Sequence, residues 1–299
     1  MLSTNFCRQL GTVPPAIRHA LVRTLSAIPT PKSNFSLARH RRRVSSKLFR
    51  NGSIRQHSTL RELFQGNLDY ISNMSKDHPN LLSTLAKEGQ RPPFLLVDCS
   101  DSRVNESAIF SAKPGTMFTA GNIANRFDET DQNSNAILSF AVESLKVKHV
   151  VVMGHYGCGG VAASMMSLPE NPTKAADVAV QSWISPIRQI YLTSKRKEIV
   201  DHRTQTQMKP LTELPDLHDI AFRALVEENV KSNVEKIAKS QVIQDHFADL
   251  NDSQSTGANI TEIFVHGWVY DVETGKVSDL SVSVGPSGHE IPYSPFPKV

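Results

Sequence analysis

Cysteine is scarce in this chain, whose 299 residues contain only Cys7, Cys99 and Cys158 and no Cys-x-x-Cys pair. Three cysteines without a pairing pattern argue against a disulfide scaffold and fit a reducing compartment. Long apolar runs are also missing, since none reaches the ~18 residues that span a bilayer. We therefore expect no membrane span, and a chain of this length can bury one sizeable α/β core.

Acidic residues are absent from the first 61 positions, which hold 12 Lys or Arg, and Glu62 is the first acid. The remainder has 21 Lys and Arg against 29 Asp and Glu, a net charge of −8. A nucleic-acid-binding domain carries its basic charge on the folded domain, and this chain has the opposite distribution. We therefore expect no nucleic-acid partner.

The basic segment 1–57 has the composition of a mitochondrial presequence. It is rich in Arg and Ser, lacks acids, and has scattered apolar residues rather than the continuous apolar core of a secretory signal. The run RHRRRV at 39–44 leaves a nuclear signal or a solvated basic arm as alternatives. We expect location in the mitochondrial matrix, with residues 58–299 forming a single folded domain.

Hydrophobic patterning in residues 58–299 alternates between strands and helices. Continuous apolar runs predict buried strands at 92–99 and 148–155. Residues 115–124 are interpreted as a strand that leads into a turn, and residues 260–282 favour a strand pair around Glu273–Lys276. Periodic apolar positions predict helices at 58–88, 134–147, 178–192 and 217–240. The polar segment 194–216, broken by prolines, is interpreted as an exposed insertion or loop. The alternation predicts an α/β fold with a mainly parallel β-sheet wrapped by helices.

Two short motifs, DCSDSRV at 98–104 and GHYGCGG at 154–160, stand where predicted buried strands end. Ligands of open parallel sheets bind at the carboxyl ends of strands, so Cys99 can meet His155 and Cys158 there. Two thiolates and one imidazole are a soft zinc set, and three protein ligands leave one position open for catalysis. Buried structural cysteines, a disulfide or a redox dithiol pair remain the alternatives.

Asp101 and Arg103 lie two residues apart beside the first cysteine, where the guanidinium fork can hold the carboxylate. An Asp this close to a metal can occupy its fourth position, or accept a hydrogen bond from a metal-bound water. Arg103 would decide between the two by holding the carboxylate away. An ordinary salt bridge within a turn is the other interpretation.

The segments CSDSRV, PGTMF, NIAN, AVESLKVKHVVVMGHYGCGGV and VHGWVYD, in this order, resemble the beta-class carbonic anhydrase family over residues 60–285. The resemblance, to a mitochondrial and fungal-like member, implies zinc-dependent reversible hydration of carbon dioxide to bicarbonate and a proton. It implies one Zn²⁺ per subunit on Cys99, His155 and Cys158, with Asp101 and Arg103 as a catalytic dyad. It also implies a homodimer or tetramer in which an N-terminal helical arm lies over the partner.

The resemblance also implies a substrate pocket, formed by Gln90, Phe118, Ile123, Phe140 and Gly159. Two positions depart from the family pattern, since Gly121 replaces a basic residue, and Leu96 replaces the Trp of many bacterial-type members. We therefore expect no bicarbonate-induced closure of the kind that those two residues mediate. The alternatives within this resemblance are hydrolysis of carbon disulfide or carbonyl sulfide, and a catalytically weak zinc protein that senses bicarbonate.

Overall fold

A computed structural model of the chain describes residues 59–168, 174–208, 211, 213–256 and 260–299. The predicted presequence at 1–57 lies outside the described residues. Within the described part, no helix is both long enough and apolar enough to cross a bilayer.

A five-stranded sheet with the order β2-β1-β3-β4-β5 forms the centre of the domain. Its first four strands are parallel, and β5 runs antiparallel to β4 after a tight connection at the predicted hairpin. The mainly parallel sheet predicted from the sequence is therefore confirmed. The strands are β1 (Phe94–Cys99), β2 (Met117–Asn122), β3 (His149–His155), β4 (Phe264–Tyr270) and β5 (Val277–Asp279).

Helices surround this sheet, with a 3₁₀ turn at Ile123–Asn125 and a π-helical turn at Phe140–Ser144. The predicted helix at 58–88 is two helices, because the chain breaks around Pro79. The helices are α1 (Leu60–Asp77), α2 (Leu81–Glu88), α3 (Glu106–Ile109), α4 (Gln132–Ser139), α5 (Gly159–Met165), α6 (Ala175–Thr193), α7 (Lys197–Met208), α8 (Ile220–Lys239) and α9 (Gln241–Thr256).

The interpretation of 194–216 as an exposed loop is wrong, because most of this segment is the helix α7. Ile199 is its single fully buried apolar residue, so the segment has no apolar periodicity from which a helix could be predicted. Polar contacts hold α7 instead: Arg203 donates to the backbone oxygen of Tyr191 at 2.7 Å. Pro210 and Pro215 come after Met208, the last residue of the helix, in the sequence.

Helix α8 packs directly on β3 and β4, and this contact fixes the strand that carries the second motif. A Cβ on Gly154 would lie 2.5 Å from Cγ2 of Val230, and one on Gly267 would lie 3.1 Å from Cγ2 of Val234, both in α8. Only glycine permits such close approach at these two positions. The main apolar core lies on this face of the sheet, and a smaller cluster around Leu96 covers the other face.

Near the amino ends of β3 and β4, away from the second motif, the half-buried His149 pairs with the buried His266. Nδ1 of His149 lies 3.0 Å from Nε2 of His266, whose Nδ1 lies 2.9 Å from Oγ of Ser283. His266 is 5% exposed, and burial lowers its pKa from 6.5 to about 4. Between these values the unfolded chain binds more protons than the folded one, so His266 makes stability fall as pH falls.

The substitution His266→Gln should therefore reduce the fall in the free energy of unfolding between pH 6.5 and pH 4. The lowering of the His266 pKa from 6.5 to about 4 sets an upper bound of about 3 kcal/mol for the stability that His266 costs by pH 4. Urea unfolding at several pH values between 6.5 and 4 measures the slope, with exposed His218→Gln as the matched control. An unchanged slope in the His266 variant would contradict the assignment.

Candidate metal centre

The carboxyl edge of the sheet brings together the three residues that the sequence singled out as metal ligands. Cys99 ends β1, His155 ends the neighbouring strand β3, and Cys158 directly precedes α5. Their ligand atoms lie within 4.8 Å of one another, and the two sulfur atoms are 3.9 Å apart. All three side chains are buried. The close approach arises because β1 and β3 are adjacent and parallel.

One ring nitrogen of His155 lies within hydrogen-bond distance of a backbone oxygen, and the other has no hydrogen-bond partner among the described residues. Its Nδ1 lies 3.0 Å from the backbone oxygen of Tyr156, and since a carbonyl only accepts, Nδ1 carries the proton and donates it. Its Nε2 is buried and has no hydrogen-bond partner among the described residues. A buried ring nitrogen without a partner, beside two sulfurs, fits a tetrahedral Zn²⁺ with one open position. The three residues therefore suit a zinc ion.

Backbone amides support both thiol groups. The N–H of Ala124 donates to Cys99, and the N–H groups of Gly160 and Val161 donate to Cys158. The hydrogen bond from Cys158 lowers the pKa of the Cys99 thiol, and the same contact raises the pKa of the Cys158 thiol. The contact thus favours the thiolate at Cys99 over that at Cys158, and a divalent cation bound to both sulfurs would stabilise both as thiolates.

The amide that supports Cys99 belongs to a strained turn that the sequence did not reveal. Ala124 and Asn125 have φ of 62° and 46°, in the left-handed region that residues other than glycine rarely adopt. Asn229 donates to the oxygen of Ala124 at 2.9 Å, and Trp183 donates to the oxygen of Ile123 at 2.8 Å. These contacts from α8 and α6 hold the turn against the metal group. The motif NIAN identifies this segment in the sequence, but none of its residues is a glycine that would indicate left-handed backbone.

Asp101 and Arg103 form the predicted fork beside the ligand atoms. Nε of Arg103 donates to Oδ1 at 2.9 Å, and Nη2 donates to Oδ2 at 2.7 Å. The same Nη2 donates to the backbone oxygen of Gly157 at 2.9 Å. Oδ2 of Asp101 lies 3.8 Å from Nε2 of His155. Arg103 lowers the pKa of Asp101 to about 2, so the carboxylate stays ionised over the physiological range.

The predicted pocket residues are brought together only in part. The rings of Phe118 and Phe140 lie with centroids 5.9 Å apart, and Ile123 contacts the start of α5, where a Cβ on Gly160 would be 2.9 Å from its Cγ2. Ile123 and Phe140 are 42% and 48% exposed, so this apolar wall is open in a single chain.

The other two predicted pocket residues are Gly159, within the second motif, and Gln90, which precedes the first motif. Gly159 is the first residue of α5, directly after Cys158. Gln90 is exposed between α2 and β1, and within the described residues it makes no hydrogen bond to the metal group. The geometry of one chain therefore does not bring Gln90 into the site.

Comparison with known proteins agrees with this geometry. The sequence profile of a family described as carbonic anhydrase matches residues 94–277, more than half of the chain. A carbonic anhydrase of Emericella nidulans is 31% identical over 222 residues, which cover 74% of this chain and 83% of that protein.

Solved structures show the same relationship. The beta-carbonic anhydrase CafA of Aspergillus fumigatus is 33% identical, with a TM-score of 0.55, covering 74% of this chain and 90% of that one. One of two tetrameric beta-carbonic anhydrases of Sordaria macrospora shares the fold at 24% identity and a TM-score of 0.59, covering 75% of this chain and 98% of that one.

Proposed function

We propose that this chain, which belongs to the beta-class carbonic anhydrase family, uses Asp101 and Arg103 as the dyad of its hydration reaction. The chain is an enzyme, a lyase, that interconverts carbon dioxide and water with bicarbonate and a proton, and its cofactor is zinc. The observation that carries this conclusion is the convergence of Cys99, His155 and Cys158 within 4.8 Å at the carboxyl edge of the sheet.

When bound by these three residues, zinc supplies a Lewis acid at which water becomes a nucleophile near neutral pH. Asp101 lies at the ligand atoms as a carboxylate, and Oδ2 accepts a hydrogen bond from the reacting water. Because Arg103 holds the pKa of Asp101 near 2, the carboxylate does not store the released proton. Its role is therefore to orient the water toward carbon dioxide, while the proton leaves to solvent.

Carbon dioxide is uncharged, and the apolar wall formed by Phe118, Ile123 and Phe140 suits it. Bicarbonate carries charge and needs hydrogen-bond donors, which we assign to the side-chain amide of Gln90 and to the backbone amide of Gly159. Since Gln90 is exposed in a single chain, we propose that it joins the pocket in the assembled enzyme.

We propose a homodimer, or a tetramer built from dimers. The support is an apolar stripe on α1 that is exposed in the single chain: Leu63, Phe64, Leu68 and Ile71 are 42–63% exposed. Strand β2 is also an unpaired edge within the described sheet. Sedimentation equilibrium of the full chain tests the proposal, since a mass of 33.1 kDa would contradict it and a two- or fourfold multiple would support it.

We propose that the enzyme resides in the mitochondrial matrix, on the basis of the acid-free, Arg- and Ser-rich segment 1–57. Incubation of the full chain with isolated mitochondria tests this proposal. Import with shortening of the chain is the expected result. Failure to enter, or nuclear accumulation in cells directed by residues 39–44, would contradict it.

The substrate is tested by stopped-flow assays of the zinc-loaded full chain at mildly alkaline pH, with metal content measured on the same sample. We expect fast, zinc-dependent hydration of carbon dioxide, and slow hydrolysis of carbonyl sulfide and carbon disulfide. A negligible rate with carbon dioxide at full zinc content would contradict the proposed chemistry. Rapid turnover of either sulfur compound would then favour the alternative activity, and no turnover of any of them would favour bicarbonate sensing.

A further inference from the structure

Tyr156 lies in the sequence between the proposed ligands His155 and Cys158. The backbone carbonyls of Tyr156 and of the next residue each accept a hydrogen bond from a side chain of the site. The oxygen of Tyr156 accepts from Nδ1 of His155 at 3.0 Å, which fixes the imidazole ring and its tautomer. The oxygen of Gly157 accepts from Nη2 of Arg103 at 2.9 Å. The position of this short stretch therefore sets both the ligand nitrogen and the fork that holds Asp101.

The side chain of Tyr156 is buried and clamped from two directions by α8. Its hydroxyl donates to Oε1 of Glu227 at 2.8 Å. The guanidinium carbon of Arg223 lies 3.4 Å from the ring centroid, and Nη2 of Arg223 lies 3.3 Å from Oδ2 of Asp271. The cation–π contact of the ring and the hydrogen bond of the hydroxyl to a carboxylate together restrict the motion of the Tyr156 side chain.

Glu227 is itself buried, at 5% exposure, and a buried carboxylate requires partners for both of its oxygens. Tyr156 occupies Oε1, and Nη1 of Arg196 donates to Oε2 at 2.6 Å. Arg196 directly precedes α7, in the segment 194–216 to which the sequence assigned no role. A chain of contacts thus runs from α7 through Arg196 and Glu227 to Tyr156.

We propose that Tyr156 is a positioning residue of the zinc centre, held by Glu227 and Arg223, and that the α7 segment supports it through Arg196. Its catalytic consequence rests on the proposed function. The phenol anchors the backbone whose carbonyls orient His155 and Arg103. Loss of the anchor loosens the ligand set and the fork together, without removing any ligand.

Tyr156→Phe tests this directly, because it removes only the hydroxyl. We expect zinc affinity, measured by competition with a chromogenic chelator, to fall up to roughly 10-fold, the lower end of the effect of losing an outer partner outright, because the carbonyl that holds His155 remains and only its anchor is lost. We also expect the absorption spectrum of the cobalt-substituted protein to shift, since that spectrum reports the geometry around the metal. Turnover in the zinc-loaded variant should fall as well.

Tyr191→Phe is the matched control. Tyr191 is also 5% exposed, and its hydroxyl lies 2.9 Å from Nδ1 of His202, away from the metal group. Both Phe variants lose a buried hydroxyl, and Tyr191 also loses a second contact, at 3.2 Å to Oγ1 of Thr206. The control should keep the wild-type zinc affinity and cobalt spectrum. A purely structural role for Tyr156 would leave both metal measurements at the wild-type result in the two variants alike.

Wild-type zinc affinity together with a wild-type cobalt spectrum in Tyr156→Phe would overturn the proposal. If that variant does not fold, Glu227→Gln is judged by the same two measurements, since it keeps the shape of the clamp and removes its charge. Arg196→Gln should show the same effects at smaller size, because it acts one contact further out. Neither measurement requires turnover, so a chain that failed to hydrate carbon dioxide would still answer this question.

Discussion

Replacing Cys158 by Ser should leave the full-length protein without zinc and without carbon dioxide hydration. The serine hydroxyl is not ionised near neutral pH, and it does not replace a thiolate in the soft ligand set that zinc prefers. The backbone amides of Gly160 and Val161 would still point at the position, so the fold of α5 should survive. The loss in zinc affinity should exceed the roughly 10–100-fold that removal of an outer partner costs.

Metal analysis after dialysis against a weak chelator measures this loss, with activity followed on the same samples. Cys7→Ser is the control, because Cys7 belongs to the predicted presequence and is not one of the three proposed ligands. It should retain a full complement of zinc and full activity. A Cys158→Ser protein that keeps one zinc per chain would show that this cysteine is not a ligand, and would favour the redox or structural interpretation of the two thiols.

Asp101→Asn should give the opposite combination, full zinc content with most of the activity lost. The three ligands are untouched, so metal binding should persist. The amide has the shape of the carboxylate, but it lacks the negative charge that Arg103 stabilises, and one of its two positions becomes a donor. We expect turnover to fall on the order of 10²-fold or more, the usual size of such an effect.

The pH profile of the wild type carries the same information. Because Arg103 lowers the pKa of Asp101 from 3.8 to about 2, activity should show no titration of this carboxylate above pH 3.8. The stability that the pair contributes is present above pH 3.8 and is lost as pH falls towards about 2. Asp101 is largely shielded but Arg103 is half exposed, so this contribution is small.

Asp128→Asn is the matched control for the dyad variant. Arg126 and Asp128 are also an Arg–Asp pair two residues apart, 3.2 Å between Nη2 and Oδ2, but they do not belong to the metal group. This control should retain nearly full turnover. Retained full activity in Asp101→Asn, at full zinc content, would refute the role of Asp101 in the reaction.

Local patterns explain what the sequence could predict about this site. A continuous apolar run identified β3, a cysteine placed at the end of another run identified β1, and the parallel arrangement brought Cys99 to His155 and Cys158. The pairing of Asp101 with Arg103 followed from a spacing of two residues. These features depend on neighbours in the sequence, or on one rule about parallel sheets.

The features that the sequence did not reveal depend on distant contacts. Helix α7 has one fully buried apolar residue, Ile199, and is held by polar contacts with other elements, so it lacks the periodicity of an amphipathic helix. The left-handed Ala124 is held by Asn229, which lies 105 residues away. The hydroxyl of Tyr156 reaches Glu227 across 71 residues. No local pattern in the sequence identifies such pairs of distant residues, so one sequence alone does not predict these contacts.

Titration of zinc into the metal-free full chain, with carbon dioxide hydration measured at each addition, tests the central claim most directly. The account predicts no activity without zinc, a linear rise, and a plateau at one zinc per chain. A full complement of bound zinc with negligible hydration would contradict it, and so would a rate that does not depend on zinc.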